Sequence, residues 1–221
     1  MSEKSFPTRR FAALLFDMDG TLISSIVSAE RVWSRWAEAH GLDVAAFLPT
    51  IHGVRSEETI RRLDLPGIDP EAEAAAITRA EMEDVADITQ IPGARTFLEA
   101  LPRERWAIVT SAPRALAARR LEAAGMPAPA TIVAAEDVVW GKPNPDCFRL
   151  AAERLGVAAG DCLVFEDAPA GIRAAEAAGA TVIVVTATHR EPVRTGHATI
   201  PDFRRLRVGA TPEGLRVVSE A

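Results

Sequence analysis

Asp17 and Asp19, separated by Met18 and followed by Gly20 and Thr21, are the side chains whose spacing most strongly suggests chemistry in this 221-residue chain. Two carboxylates so close repel unless a cation or a shared proton offsets them, so the pair points to a bound metal or a raised pKa. Further along, Thr110 and Ser111 follow one apolar run, Glu166 and Asp167 follow another, and between them Trp140-Gly141-Lys142-Pro143 presents one lysine. Carboxylates arriving from separate segments make an oxygen-rich site that suits magnesium, which takes few protein ligands. A lysine and hydroxyls beside such a site could hold a phosphate. Any one acidic residue after a strand could be a helix cap, but all three polar pairs together with the lysine are poorly explained that way.

Strands have to bring these residues together. Residues 12–16 are apolar without alternation, as are 106–110, 131–134, 162–165 and 181–185, the pattern of strands buried on both faces of a parallel sheet. Helices are expected at 94–101, after Pro113 as far as Gly125, at 145–155 and at 171–178. Residues 206–210 and 215–218, around Pro212-Glu213-Gly214, read as an edge hairpin.

Between Ser25 and about residue 87 no strand is expected. Residues 27–40 place Val32, Trp33, Trp36 and Ala37 on one helix face and stop at Gly41, with the two tryptophans read as core. Ser56 is expected to cap a helix whose first turn holds Glu57 and Glu58. Residues 71–86 read as an alanine-rich, acidic helix lying on the surface. The fold class expected is α/β: a doubly wound parallel-sheet (Rossmann-like) core of residues 1–23 and 90–221, with a helical cap domain, 24–89, inserted after the first strand. Its ligand crevice belongs at the carboxyl ends of the strands.

Composition narrows the partners. The net charge of −6 offers no basic footprint for nucleic acid, and no apolar run approaches the roughly 18 residues of a membrane-spanning helix. Residues 1–10 are polar and basic without a following apolar stretch and cleavage pattern, which argues against a secretory signal. Cys147 and Cys162 lie in apolar contexts without metal-type spacing. A cytoplasmic protein, monomeric or weakly dimeric, is expected. An anionic substrate would need local cations.

The sequences DMDGT at 17–21, Thr110-Ser111, Lys142 within GKPNPD, and EDAPAGI at 166–172 resemble the four motifs of the haloacid dehalogenase superfamily of phosphohydrolases. The resemblance covers nearly the whole chain, the helical cap included. EDAPAGI, IHG at 51–53 and WAIVTS at 106–111 are similar to the sugar phosphatases, glycerol-phosphate phosphatases and 2-deoxyglucose-phosphate phosphatases of that group. The resemblance implies magnesium-dependent hydrolysis of a small phosphorylated sugar or polyol. Asp17 would attack phosphorus and form an aspartyl phosphate. Asp19 would protonate the leaving oxygen and then take a proton from water, its backbone carbonyl facing the metal. Asp167 would complete the protein ligands, with Glu166 acting through a water. Lys142, Thr110 and the Ser111 amide would bind phosphoryl oxygens, and His52 and Arg55 of the cap would select the substrate.

The chain departs from its group in places. Ser24 stands where many relatives carry an aspartate, Ala29 where β-phosphoglucomutases carry a histidine, and His52-Gly53-Val54-Arg55 is one residue shorter than their Gly-Val-Ser-Arg loop. Ser24 bears on cap closure or leaving-group contact, and the two differences from the mutases favour hydrolase over mutase. A β-phosphoglucomutase-like mutase and a non-catalytic phosphoryl-accepting protein stand as the alternatives.

Overall fold

In the computed structural model, which describes residues 6–189 and 195–220, the unalternating apolar runs become strands of one parallel sheet. β1 (Ala13–Phe16) is buried throughout and leads into β2 (Ile23–Ser24). Four helices follow: α1 (Ile26–Ala39), α2 (Val44–Phe47), α3 (Ser56–Leu63) and α4 (Pro70–Glu83). β3 (Thr89–Gln90) then pairs antiparallel with β2, Ile23 opposite Gln90, so the helical segment leaves and re-enters through one narrow neck. The remainder alternates: α5 (Ala94–Glu99), β4 (Trp106–Val109), α6 (Arg114–Ala123), β5 (Ile132–Val133), α7 (Asp146–Arg154), β6 (Cys162–Glu166), α8 (Pro169–Ala177), β7 (Thr181–Val185) and β8 (Ala198–Ile200). β9 (Leu206–Thr211) and β10 (Gly214–Ser219) form an antiparallel hairpin.

The sheet runs β5-β4-β1-β6-β7-β8, every pairing parallel. β1 is central, with Phe16 in register with Ile108 on one side and Phe165 on the other. The strand order reverses at β1, and open sheets of this kind hold ligands beyond the carboxyl ends of the strands at such a reversal. Leu14 and Phe16 pack on one face with Phe97, Phe165 and Phe203, and Ala13 and Leu15 on the other with Phe148 and Val164. The helical segment buries a cluster of its own around Val32, Trp33, Trp36, Phe47, Ile60 and Ile77. This is the doubly wound core with a helical insert that the sequence leads one to expect.

Four details differ. The short strands β2, β3 and β8 were not foreseen. α4 starts after Asp69, whose carboxylate accepts from the amides of Glu71 and Ala72, and ends at Glu83 rather than near residue 86; it lies on the surface as expected, burying only Ile77 and Glu81. Ser56 is the first helical residue of α3 rather than its cap. Arg55 holds the cap position, and no side chain bonds the free amides there; Glu57 and Glu58 sit in the first turn as expected. The terminal hairpin forms a separate sheet instead of extending the main one, tied to the residues just before β1 by the Phe11 and Leu215 amides, each donating to the other residue's carbonyl at 2.8 and 2.7 Å. Among the described residues no helix is long and apolar enough to cross a membrane.

Candidate active site

The carboxyl ends of β1, β4 and β6 deliver the polar residues to one place. Phe16 and Phe165 stack with ring centroids 4.9 Å apart and planes within 8° of parallel, and the next residue on each strand is acidic. The Asp17 amide continues the pairing by donating to the Phe165 carbonyl at 2.9 Å. Strand register thus sets how far Asp17 stands from Glu166 and Asp167. Ligand oxygens from these three buried carboxylates lie within 4.8 Å of one another.

One lysine is buried among them. Lys142, only 1% exposed, directs Nζ to Asp17 Oδ1 at 2.6 Å, to Glu166 Oε1 at 2.8 Å and to the Val109 carbonyl at 3.1 Å. Its three donors are therefore committed. The other Glu166 oxygen, Oε2, accepts from the amides of Asp167 and Ala168, both at 2.7 Å. Glu166 thus anchors the lysine and the start of the loop into α8. Asp167 Oδ1 accepts from the Thr21 hydroxyl at 3.3 Å.

Close approach of these groups depends on two glycines. Gly20 has φ +90°, and a Cβ there would lie 2.1 Å from Asp167 Oδ2; one on Gly171 would lie 1.5 Å from Glu166 Oε1.

Three carboxylates share one ammonium, so charge does not balance. Burial lifts the Asp17 pKa to about 7, with Glu166 adding to the rise and Lys142 opposing it. Asp167 is pushed well above its ordinary range by burial, then by Glu166 and Asp17. Burial alone would lower the Lys142 pKa, but attraction to Asp17 and Glu166 outweighs it and raises the value. Asp17 Oδ2 is buried and has no hydrogen-bond partner among the described residues. A hard divalent cation suits this arrangement: oxygen donors only, excess negative charge and one unpaired oxygen.

Asp19 faces elsewhere. Its Oδ1 accepts from the Ser25 hydroxyl at 2.5 Å and from Arg120 Nη1 at 3.0 Å, and its carboxylate lies outside the acidic trio. Between core and insert is a cavity of about 80 Å³, whose lining includes Asp17, Asp19, Thr110 and Ser111 from the core and Trp33 and His52 from the insert. Trp33 is both core and cavity wall. Thr110 Oγ1 accepts from the Ala112 amide at 3.0 Å, and the Ser111 hydroxyl donates to the Gly53 carbonyl of the insert at 3.0 Å. His52 Nε2 is 3.7 Å from Glu30 Oε1.

Three expected site residues are not among those lining the cavity. Lys142 and Glu166 lie behind Asp17. Arg55 donates to the carbonyls of Val139 at 3.0 Å and Val138 at 2.8 Å, pinning the insert to the core, and Glu58 Oε1 accepts from the Gly141 amide at 3.1 Å alongside. An arginine already bound to backbone carbonyls is not presented to a substrate in this arrangement.

Reading the sequence missed Arg120 and Glu81, both lining the cavity and both 4% exposed. Their signal was positional. Arg120 shares the buried face of α6 with Leu116, Ala117 and Leu121, and Glu81 is one turn beyond Ile77 in α4, so each puts a charge on an apolar stripe.

Residues 11–179 match the haloacid dehalogenase-like hydrolases. The chain is 42% identical over 188 residues to hexitol phosphatase A of Escherichia coli (strain K12), covering 83% of this chain and 87% of that one. It is 32% identical over 203 residues to 2-deoxyglucose-6-phosphate phosphatase 1 of Saccharomyces cerevisiae, covering 81% of each. Among solved structures, a hydrolase from Pseudomonas syringae superposes with TM-score 0.72 at 28% identity, covering 82% of this chain and 87% of that chain.

Proposed function

The chain belongs to the haloacid dehalogenase-like hydrolase family, and from that premise we propose a phosphatase that hydrolyses small phosphorylated sugars or polyols through an aspartyl phosphate on Asp17. The observation that carries this reading is Asp17 itself: a buried carboxylate lining the cavity, with Oδ1 fixed by Lys142 and Oδ2 without a hydrogen bond among the described residues. The named activities of the E. coli and S. cerevisiae relatives supply the substrate class.

Asp17, Asp167 and the Asp19 backbone carbonyl would hold magnesium, with Glu166 supporting the set from behind. The cation, when bound, offsets the repulsion between carboxylates and a phosphate dianion. The chain's own residues do the rest. An Asp17 carboxylate oxygen attacks phosphorus, a new O–P bond forms, and the bond to the organic oxygen breaks with its electron pair going to that oxygen. Asp19 gives that oxygen its proton. In the second step Asp19 takes a proton from water as the water oxygen attacks phosphorus, releasing inorganic phosphate and restoring the Asp17 carboxylate. Lys142 holds Asp17 in line and compensates its charge, while the Thr110 hydroxyl and Ser111 amide meet phosphoryl oxygens.

We take residues 24–89 as a cap and 1–23 with 90–221 as the core, joined at the β2–β3 neck. Wall residues from the cap, His52 and Trp33, then face the organic part of the substrate and exclude bulk water. A cytoplasmic location is consistent with its two free, buried cysteines, and we take the enzyme as monomeric or weakly dimeric. Phosphate release from a panel of hexitol, hexose and glycerol phosphates tests the reading. Turnover of at least one, dependent on magnesium, is expected. Interconversion of glucose 1-phosphate and glucose 6-phosphate faster than phosphate release would overturn it.

A further inference from the structure

Arg120 is an arginine held almost out of water at the joint between α6 of the core and α4 of the insert. One amino group, Nη1, donates to Asp19 Oδ1 at 3.0 Å; the other, Nη2, faces Glu81 Oε1 at 3.1 Å without the alignment of a hydrogen bond. Two carboxylates from different parts of the chain are thus held on the two arms of one rigid, planar guanidinium. Burying such a set is costly, and stability alone is a weak reason for keeping it, since apolar packing of similar volume does as well or better. What an apolar residue cannot do is set the orientation of a carboxylate.

Asp19 is the carboxylate so oriented. Ser25 and Arg120 both grip Oδ1, which leaves Oδ2 without a hydrogen bond among the described residues. Proton transfer requires the donor to be within hydrogen-bond reach of the leaving oxygen, and a carboxyl free to rotate about its χ angles spends much of its time turned away. We propose that Arg120 is a positioning residue that fixes the Asp19 carboxyl for proton transfer, and that Glu81 of the insert holds Arg120 in place. The inference rests on the acid and base role of Asp19 proposed above. Because Glu81 belongs to the insert and Asp19 to the core, the proton donor is fully assembled only while α4 is seated on α6. Lysine at position 120 would offer a single ammonium where two separate amino groups face two carboxylates, one through a hydrogen bond and one through charge alone, so it is not expected to substitute.

The test measures kcat, KM and thermal unfolding for Arg120→Met, Glu81→Gln, the double variant, Arg120→Lys and Asp19→Asn. The probes are 2-deoxyglucose 6-phosphate, which needs its leaving oxygen protonated, and p-nitrophenyl phosphate, which scarcely does. Arg120→Met is expected to lower kcat for the sugar phosphate by at least about tenfold, with KM moving by less than about twofold and the aryl phosphate losing no more than about threefold. Glu81→Gln should show the same bias at smaller size. The double variant should match Arg120→Met in kcat, since both changes act through one contact. It should also melt above Arg120→Met, because no unpaired buried charge remains. If Arg120→Met does not fold, the double variant carries the kinetic comparison.

Equal losses on both probes, additive effects of the two substitutions on kcat, or full recovery in Arg120→Lys would overturn the inference. Asp19→Asn separates this failure from a deeper one. If Asp19→Asn is selective for the sugar phosphate and Arg120→Met is not, only the positioning role falls. If Asp19→Asn itself lowers both probes equally, the acid role falls and takes this inference with it.

Discussion

Replacing Asp17 by asparagine should abolish turnover and make the metal-free protein more stable. Asp17 is 5% exposed, and its pKa of about 7 stands against an ordinary 3.8, chiefly because burial disfavours the charge. A folded-state value above the unfolded one means that the stabilising contribution is complete below pH 3.8 and is lost as pH rises to about 7. Across that interval, at about 1.4 kcal/mol per pH unit, the ionised carboxylate costs the folded state roughly 4.5 kcal/mol. Relaxation of neighbouring groups leaves a part of this, and a third of it, roughly 1.5 kcal/mol, raises Tm by about 3–6 °C in a chain of this size. The assay is thermal unfolding of wild type and Asp17→Asn in EDTA at pH 4.5 and pH 8. A small gap at pH 4.5 that widens at pH 8 in favour of the variant is expected. A variant that melts below wild type at pH 8, or a gap independent of pH, would refute the electrostatic reasoning.

Magnesium should raise the Tm of wild type at pH 8 and leave Asp17→Asn nearly unmoved, because the cation then neutralises the carboxylates that repel; equal shifts in both proteins would mean that it binds elsewhere. Exhaustive chelation should remove activity and its return should need a divalent cation, which phosphate release measures directly. Arg55→Ala deletes two hydrogen bonds between insert and core, about 1–2 kcal/mol of docking, so kcat/KM should fall to a similar extent for sugar and aryl phosphates; a loss confined to sugar phosphates would place Arg55 on the substrate instead. Gly171→Ala drives a Cβ into a Glu166 carboxylate that is already bonded at both oxygens, and denaturant unfolding should register a loss of roughly 3 kcal/mol. An unchanged midpoint would show that Glu166 can move aside.

The sequence made β1, β4 and β6 legible because central strands of a parallel sheet are buried on both faces and read as unbroken apolar runs. The acidic and hydroxyl residues at their ends followed from that reading, since nothing but strand order was needed to gather them. β8 was not legible: three residues, Ala198–Ile200, carry too little pattern for the eye. Lys142 and Glu166 were placed in the right neighbourhood, yet their depth behind Asp17 depends on hydrogen-bond partners that no local spacing encodes. Arg120 and Asp19 are 101 residues apart, and a charge on an alanine-rich helix reads as solvated until the helix facing it is known. Arg55 was drawn toward the substrate by its loop, whereas the carbonyls of Val138 and Val139 claim it.

With four helices threaded between β2 and β3, the strand bearing Asp17 leaves the ribosome with neither neighbour available. β4 arrives at residue 106 and β6 at residue 162; at roughly 5–20 residues per second the second wait lasts on the order of ten seconds. The apolar cluster of the insert draws on residues between Ala29 and Ala80 alone, so that part can compact while β1 is still an unpaired, fully apolar edge. Nascent-chain vulnerability is therefore concentrated in the first strand, the segment an aggregating neighbour or a holding chaperone would meet first. The most demanding group in the enzyme is among the earliest residues synthesised and among the last to be enclosed.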